Sequence, residues 1–437
     1  MYLLTFIHEK LDKKKIIEFF FFLWPIIIFF PSGVVNFYII ILIILSFLII
    51  DIKKNFLIED KIFFFFFVSL ILSSFLNKNE QLNTINSYYN LTLFRFFLVY
   101  LIFRIFFSQI KIASLQFFLK IILSASVILS LDIFHQHLIG YDLLGFQSFN
   151  NRYSGFFEHE AIAGSYIYKF LIFSIISIFF TNFLKNHFTK IIALCICITG
   201  ILFSFDRSPF FFSLLLLFFL LLFIKNKRNF FLTVLILIFL VFIFSFKNYL
   251  PLKERYNNSI DKFIVSSQYL LKNIILNIKN KNLFLDKVNN EENKKNFSIL
   301  DGNLFDQYGN LFYSSYIVIK DKYIFGHGHK SFLVKCLEKK KEIPKLFCSN
   351  HPHNIYLEII ISGGLVSLII FFLFIFIIFK KLIKNILLNN INIYLIIYLI
   401  IEFFPLRSFG SILSTFNGYL FFSSLGIICG LILRKKI

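Results

Sequence analysis

Long apolar runs recur along almost the whole chain, and they restrict its fold more than any other feature. Examples are FFFFLWPIIIFF at 19–30 and SLLLLFFLLLFI at 213–224. With their apolar flanks, such runs are long enough to cross a hydrocarbon layer of about 30 Å as helix. Mean hydropathy is +0.78 and 58% of residues are hydrophobic, more than a soluble domain of this length can bury. Because lipid offers no hydrogen-bond partner to an open backbone, we predict an all-α polytopic membrane protein.

The pattern predicts about twelve transmembrane helices, with boundaries uncertain by several residues. The predicted spans are 16–31, 34–50, 62–76, 91–107, 112–131, 161–180, 188–204, 209–224, 230–246, 355–379, 386–404 and 413–433.

The distribution of Lys and Arg predicts the orientation of these spans. With the N-terminus inside, the inner segments carry roughly nineteen cations and the short outer segments carry four, as the positive-inside rule requires. The basic leader MYLLTFIHEKLDKKK runs directly into the first span and is expected to stay inside the cell, as is the C-terminus. The net charge of +21 lies mostly in short caps between spans, which indicates topology and not nucleic-acid binding.

Two long segments, 132–160 and 247–354, interrupt the series of spans and fall on the outer side in this topology. The second divides the chain into helices 1–9 (1–246), a large outer loop (247–354) and helices 10–12 (355–437). Its polar middle, 279–297, is predicted to be flexible or loosely helical. Its end, 320–354, is rich in Gly, His, Cys and Pro and is predicted to be a shaped loop.

Three of the four outer cations are Arg152, Arg207 and Arg407, each beside Gly, Ser or Asp at a membrane boundary. The Arg side chain can form two parallel hydrogen bonds to phosphate. These residues are therefore candidates for binding a diphosphate at the outer leaflet. The alternative is pairing with a lipid headgroup or a nearby carboxylate. Arg95, near the outer end of its span, is a further candidate for the anion site, whereas Arg104, near the inner end, is expected to snorkel.

Four histidines occur in the motifs GHGHKSF (326–332) and CSNHPHN (348–354), just before a span. Such a cluster could bind zinc, with Cys336, Cys348 or Glu358 as further ligands, but neither spacing matches a standard site. A histidine beside bound phosphate is better explained as a proton acceptor or hydrogen-bond partner, and an ordinary solvated loop is the alternative for His327 and His329. We expect no metal. Cys336 and Cys348 share the outer compartment, which permits disulfides, and we expect them to form one.

Several segments resemble the O-antigen ligase and polymerase family. KYIFGHGHKSF is similar to the family's Gly-rich lead-in, and HPHNIYLEIIISGG is similar to its His-Asn motif, matched at His353, Asn354 and Gly364, with Ser367 in place of a second Gly. The other three similar segments are NNRYSGFFEHEAIAGSYI, matched at Arg152, Gly155, Glu160 and Gly164; FSFDRS, at Arg207; and FPLRSFGSILSTFNG, at Pro405, Arg407, Gly410 and Ser411.

The resemblance implies a GT-C-like membrane glycosyltransferase of the inner membrane with its active site on the periplasmic face. It implies a metal-independent, inverting transfer without cofactor from an undecaprenyl-diphosphate-linked glycan to a lipid A core or a growing glycan. His353 and Arg207 would be the catalytic residues. Arg152, Arg407 and Arg95 would help hold the diphosphate, and Asn354, Glu160 and His351 would support the site.

Three functions remain open on the sequence. A ligase and a polymerase use one donor chemistry and differ in acceptor, and the His-Asn motif favours the ligase. A twelve-helix transporter shares the span count. Transporters generally place ionisable residues at the membrane midplane, whereas here the polar residues gather at the outer boundary, which favours an enzyme.

Overall fold

Fourteen helices of eight or more residues occur in the part of the chain that the structure describes. That part of this computed structural model comprises residues 13–50, 55–77, 87–148, 152–158, 160, 162–249, 251–254, 306–385 and 391–434. The helices are α1 Lys13–Ile27, α2 Ser32–Ile49, α3 Ile58–Leu76, α4 Phe94–Gln109, α5 Ile112–Ile139, α6 Ala163–Phe180, α7 His187–Phe203, α8 Arg207–Phe223, α9 Arg228–Asn248, α10 Asp306–Asp321, α11 Phe332–Lys340, α12 Ile355–Lys384, α13 Ile391–Glu402 and α14 Thr415–Ile432.

Each of the twelve predicted spans coincides with one of these helices. Within the described ranges, seven helical segments are long and apolar enough to cross a membrane: those containing α2, α4, α5, α6, α9, α12 and α14. The helices α7, α8 and α13 are apolar but shorter. The chain is therefore a multi-pass helical membrane protein, and the count of twelve crossings stays a prediction.

Three expectations about local structure were wrong. Residues 132–139 are not loop but form the last two turns of α5. These turns are held by hydrogen bonds to the loop that follows. Asp132 accepts from the Leu143 amide (2.8 Å), and Gln136 accepts from the Gly155 amide (3.0 Å). The segment 320–354 contains the helix α11, whose Phe332 and Cys336, four residues apart, are buried on one face.

Arg104 does not snorkel to the membrane surface. Its guanidinium is 1% exposed and pairs with Asp60 of α3, and it also donates to the Asn55 carbonyl oxygen (2.6 Å). A partner carboxylate on a neighbouring helix makes burial of this cation tolerable. The middle of the large loop, 279–297, lies outside the described residues, so its predicted flexibility stays a prediction.

The helix α12 is broken at Gly364, and the Gly-rich lead-in fills the break. Gly364 has φ +70°, and a Cβ there would overlap the carbonyl oxygen of Ile324. The His327 amide donates to the Ile361 carbonyl (2.7 Å), and the Leu365 amide donates to the Tyr323 carbonyl (2.8 Å). Irregular backbone at membrane depth is stable only when protein groups satisfy it. The 323–328 segment meets this need and so fixes the large loop against α12.

Candidate functional site

The turn before α12 is held by Asn354, the second residue of the His-Asn motif. Its Oδ1 caps the helix by accepting from the amides of Tyr356 (3.0 Å) and Leu357 (3.2 Å). Its Nδ2 donates to the carbonyl oxygens of Pro405 (2.7 Å) and Arg407 (3.4 Å). One buried side chain therefore fixes both the start of α12 and the loop that follows α13.

His353 lies in this turn with its backbone in the left-handed region, at φ +52°. Its carbonyl accepts a hydrogen bond from the Phe409 amide (2.8 Å), which joins the turn to the same loop. Burial lowers the pKa of the His353 imidazole below its usual value; a hydrogen bond to the Phe409 backbone opposes this shift, and the nearby charge of Arg152 adds to it. The ring is neutral at pH 7 and can accept a proton.

His351 packs against His353, with 3.9 Å between the ring centroids and the ring planes tilted by 45°. Burial and the neighbouring His353 lower the pKa of His351 to about 4, so this ring is also neutral at pH 7. The sequence named His351 as a supporting residue, and the structure places it in ring contact with His353.

Arg152 pairs with Asp206, the residue that directly precedes Arg207 and α8. The Arg152 guanidinium lies 3.6 Å from the Asp206 carboxylate, and its side chain is 38% exposed. Arg207 is the exposed first residue of α8. Next to it, Ser208 donates to the carbonyl oxygen of Ser408 (3.1 Å), the neighbour of Phe409. This chain of contacts brings Arg207, Arg152 and His353 to the same end of the helix bundle.

An apolar groove begins at Arg207 and runs between α8 and α9. Its volume is about 680 Å³, and Phe210, Leu214, Phe218 and Ile238 are among its lining side chains. Arg207 is the charged residue of the lining. From Arg207 to Phe218 the groove follows α8 for about 16 Å, at 1.5 Å per residue. Arg207 at the end of an apolar groove suits a ligand with an anionic head group and a hydrocarbon tail.

A second cavity, of about 560 Å³, is lined by His351, the ring neighbour of His353. Its lining is mixed, with hydroxyl, amide and carboxylate groups from Glu358, Ser411, Ser414 and Asn417 beside apolar side chains. Glu358 is 7% exposed and accepts hydrogen bonds from the Ser411 hydroxyl and the Ile412 amide (3.0 Å). A cavity with many small polar groups suits a ligand rich in hydroxyls.

Arg407 is placed differently from the other candidate arginines. It is 5% exposed, ion-paired with Glu402, and its guanidinium carbon lies 4.3 Å from the ring centroid of Phe409 and 4.4 Å from that of Tyr168. Glu402 also pairs with Lys169 of α6. Arg407 therefore points into the bundle, and binding of a diphosphate by Arg407 stays a prediction that requires this pair to open.

Arg95 lies apart from the Arg152–Asp206–Arg207 group. It donates to the Asn36 side-chain oxygen and to the Thr415 hydroxyl, each at 3.3 Å, and its charge helps to lower the pKa of His329. Burial is the main cause of that shift, which takes the pKa of His329 to about 3. His329 lines the 560 Å³ cavity, so Arg95 is a neighbour of that cavity and not of Arg207.

Cys336 and Cys348 are joined, as predicted from the sequence. Cys336 of α11 and Cys348 form a disulfide bond with Cα atoms 5.6 Å apart, so neither thiolate is available to bind a metal. Over the described part of the chain, no group of three or more His, Cys, Asp and Glu side chains is arranged to hold a metal ion. Glu160 is exposed in the loop that follows Arg152, and its amide donates to the Phe157 carbonyl (2.9 Å).

Sequence reasoning missed the acidic partners of this region: Asp206 as the partner of Arg152, and Glu402 as the partner of both Lys169 and Arg407. For Lys169 a signal existed, because an ionisable residue inside an apolar span is itself a functional or structural marker. For the arginines, the sequence offered a nearby carboxylate as an alternative partner but did not identify which one.

The fold and the site define a multi-pass membrane protein with arginines and a neutral histidine gathered at one end of its helix bundle. Residues 192–372, about two fifths of the chain, match the family model described as O-antigen ligase. Over these residues, the match supports the resemblance to the O-antigen ligase family stated from the sequence. It begins in α7 and ends in α12, so it includes Arg207 and His353. No curated protein matches the chain.

Proposed function

We propose that the protein is a ligase-type glycosyltransferase that moves a glycan from undecaprenyl diphosphate to a lipid A core at the periplasmic face of the inner membrane. One observation carries this proposal: Arg207 stands at the mouth of an apolar groove, at the same end of the bundle as Arg152 and His353. The head of a lipid-linked donor is a diphosphate and its tail is a long prenyl chain. The arginines suit the diphosphate, and the apolar groove suits the prenyl chain.

In the proposed reaction, the bond between the anomeric carbon of the glycan and the phosphate oxygen breaks as the acceptor hydroxyl attacks from the opposite face. The hydroxyl proton passes to His353, whose neutral ring can accept it. The bonding electrons leave with the diphosphate oxygen, and Arg207 and Arg152 stabilise its growing negative charge. Electrostatic stabilisation of this kind contributes about 3–4 kcal/mol per donor in other enzymes. The transfer needs no metal in this scheme, because guanidinium groups supply the positive charge.

The acceptor is assigned to the 560 Å³ cavity, which His351 and Glu358 line. Its hydroxyl and amide groups suit a sugar, and His351 contacts the proposed base directly. A lipid A core and a second lipid-linked glycan both present sugar hydroxyls, so the choice between ligase and polymerase depends on which acceptor the protein uses.

The test is a reconstituted reaction without any ion gradient. Purified protein receives undecaprenyl-diphosphate-linked glycan together with either a lipid A core or a second portion of the lipid-linked glycan. Glycosylated lipid A core is the expected product, and it excludes a transporter. Lengthened glycan on the lipid carrier would replace the ligase by a polymerase. A folded protein that forms neither product would contradict the proposal.

Two variants and a matched control assign the roles. We expect Arg207→Ala and His353→Ala to lose about a hundredfold or more in rate, as expected for transition-state charge stabilisation and general base catalysis. Arg434→Gln, near the other end of the bundle just after α14, should retain the wild-type rate. Equal rates for the wild type and for Arg207→Ala would remove Arg207 from the mechanism.

A further inference from the structure

A cavity at the opposite end of the bundle from Arg207 is lined by basic side chains. Its volume is about 430 Å³, and it lies where the loop between α6 and α7 meets the turn between α8 and α9. Two aromatic residues, Phe179 and Phe230, form part of its wall. The five cations of the lining, called here the basic cluster, are Lys185, Lys190, Lys225, Lys227 and Arg228.

In the part of the chain that the structure describes, the basic cluster has no acidic partner. Between residues 161 and 253 the sequence contains one acidic residue, Asp206, which lies at the far end of α8, about 25 Å away along a helix of this length. Among the residues that the structure describes, no ion pair joins a member of the cluster to a carboxylate. Five like charges around one cavity repel one another unless an anion enters.

Two helices add to the positive potential. Both α7 and α9 begin beside the cavity, at His187 and Arg228, and neither start has a side-chain cap. The first amides of a helix lack internal acceptors and carry the positive end of the helix dipole. A phosphate group satisfies both needs at the start of α7, since its oxygens accept hydrogen bonds and carry negative charge. At the start of α9 the Arg228 amide already donates to the Lys225 carbonyl oxygen, so the helix dipole is the main contribution there.

Three exposed aromatic side chains, called here the aromatic rim, lie within two residues along the chain of residues that line the cavity. Phe183 and Phe188 beside α7 are 45% and 71% exposed, and Phe223 at the end of α8 is 58% exposed. In a membrane protein such side chains face acyl chains. A free phosphate would use the cations but not these rings, whereas a lipid would use both.

We propose that the basic cluster binds the phosphate group of an anionic phospholipid whose acyl chains lie along the exposed aromatic rim. The positive-inside rule assigns this end of the bundle to the cytoplasmic leaflet, where anionic lipids face the protein. This inference does not depend on the glycosyl-transfer proposal, because it concerns other residues and another end of the molecule.

The test uses the full-length protein in detergent, exchanged with phosphatidylglycerol or with phosphatidylcholine of the same acyl chains, and native mass spectrometry to count retained lipids. The triple variant Lys225→Gln/Lys227→Gln/Arg228→Gln removes three charges from the cluster. The matched control, Lys13→Gln/Lys15→Gln/Lys380→Gln, removes three exposed charges elsewhere. Removal of one cation near a membrane surface weakens anionic lipid binding about fivefold, so the triple variant should bind roughly a hundredfold more weakly.

The proposal requires that wild type and control retain phosphatidylglycerol and that the cluster variant loses it. Equal retention of phosphatidylcholine, or equal loss in the control, would show general adhesion and overturn the proposal. A parallel thermal unfolding series adds inorganic phosphate without lipid. If phosphate alone raises the unfolding temperature of the wild type as much as phosphatidylglycerol does, the site binds a soluble phosphate and the lipid assignment is wrong.

Discussion

Replacing Glu402 by Gln should destabilise the protein strongly, because this carboxylate is shared by two buried cations. Lys169 and Arg407 both pair with Glu402, and the side chains of the three residues are 3–6% exposed. Both cations also lie 4.3 Å from the ring centroid of Phe409. The substitution keeps the shape of the side chain and removes the negative charge, so two positive charges are left facing each other in a medium of low dielectric constant.

Loss of one partner from a buried ion pair costs about 3–5 kcal/mol, and the contacts with Phe409 recover at most about 2 kcal/mol of this. We therefore expect a clear fall in unfolding temperature for Glu402→Gln, measured in detergent at a fixed scan rate. Lys169→Met is the discriminating second variant: it leaves the Glu402–Arg407 pair intact and should be milder.

The control is Glu338→Gln, which breaks a pair on the protein surface. Lys335 and Glu338 are 2.9 Å apart and Glu338 is 51% exposed, so this change should cost less than about 1 kcal/mol. If Glu402→Gln unfolds at the same temperature as Glu338→Gln, the buried charges do not stabilise the bundle and the reasoning is refuted.

Four further predictions follow from the site. Asn354→Asp keeps the helix cap but loses the donors to the 405–407 loop, so its transfer activity should fall while its unfolding temperature stays above that of Asn354→Ala, which loses about 1 kcal/mol of capping as well. The lowered pKa of His353 places the acidic limb of the rate profile below pH 6.5, with full activity at neutral pH; a limb centred above pH 7 would exclude His353 as the base. Cys336→Ser should lower stability by about 2–4 kcal/mol, and the wild type in reductant should match it in a thermal unfolding scan. Gly364→Ala forces a Cβ into the Ile324 backbone, so it should yield less folded protein by size-exclusion chromatography than Gly33→Ala, which has open space.

The transmembrane helices were predictable because each depends on its own sequence. A run of apolar residues has no stable state in lipid other than helix, whatever it packs against. The helix α11 and the last turns of α5 were missed because they depend on pairing with other segments, as Asp132 does with Leu143. The same limit applies to Arg104, whose burial depends on Asp60, 44 positions earlier in the chain.

The candidate site was predictable in its residue types and not in its grouping. Arg152, Arg207 and His353 were all named, and the structure brings them to one end of the bundle. The sequence placed Arg407 beside them, whereas the structure turns it inward to Glu402. A cation next to a membrane boundary has the same pattern whether it faces a ligand or a buried carboxylate. Whether Arg407 faces a ligand or Glu402, five residues before it, depends on how the loop after α13 folds, and the sequence pattern does not specify this.

The cations at the two ends of α8 differ in whether they have an acidic partner, and this difference bears on their proposed roles. At one end Asp206 lies 3.6 Å from Arg152, too far for a strong hydrogen bond. In the proposed mechanism Asp206 therefore orients the guanidinium and leaves its donors to the diphosphate. At the other end Lys225 and Lys227 line the 430 Å³ cavity, and within the described residues no ion pair joins either of them to a carboxylate. A donor that must enter and leave suits a site whose positive charge is partly balanced in its absence, as Asp206 partly balances Arg152 and Arg207. A lipid that stays bound can itself supply negative charge to the basic cluster. The end of α8 near Lys225 is therefore the end suited to a permanently bound anionic lipid.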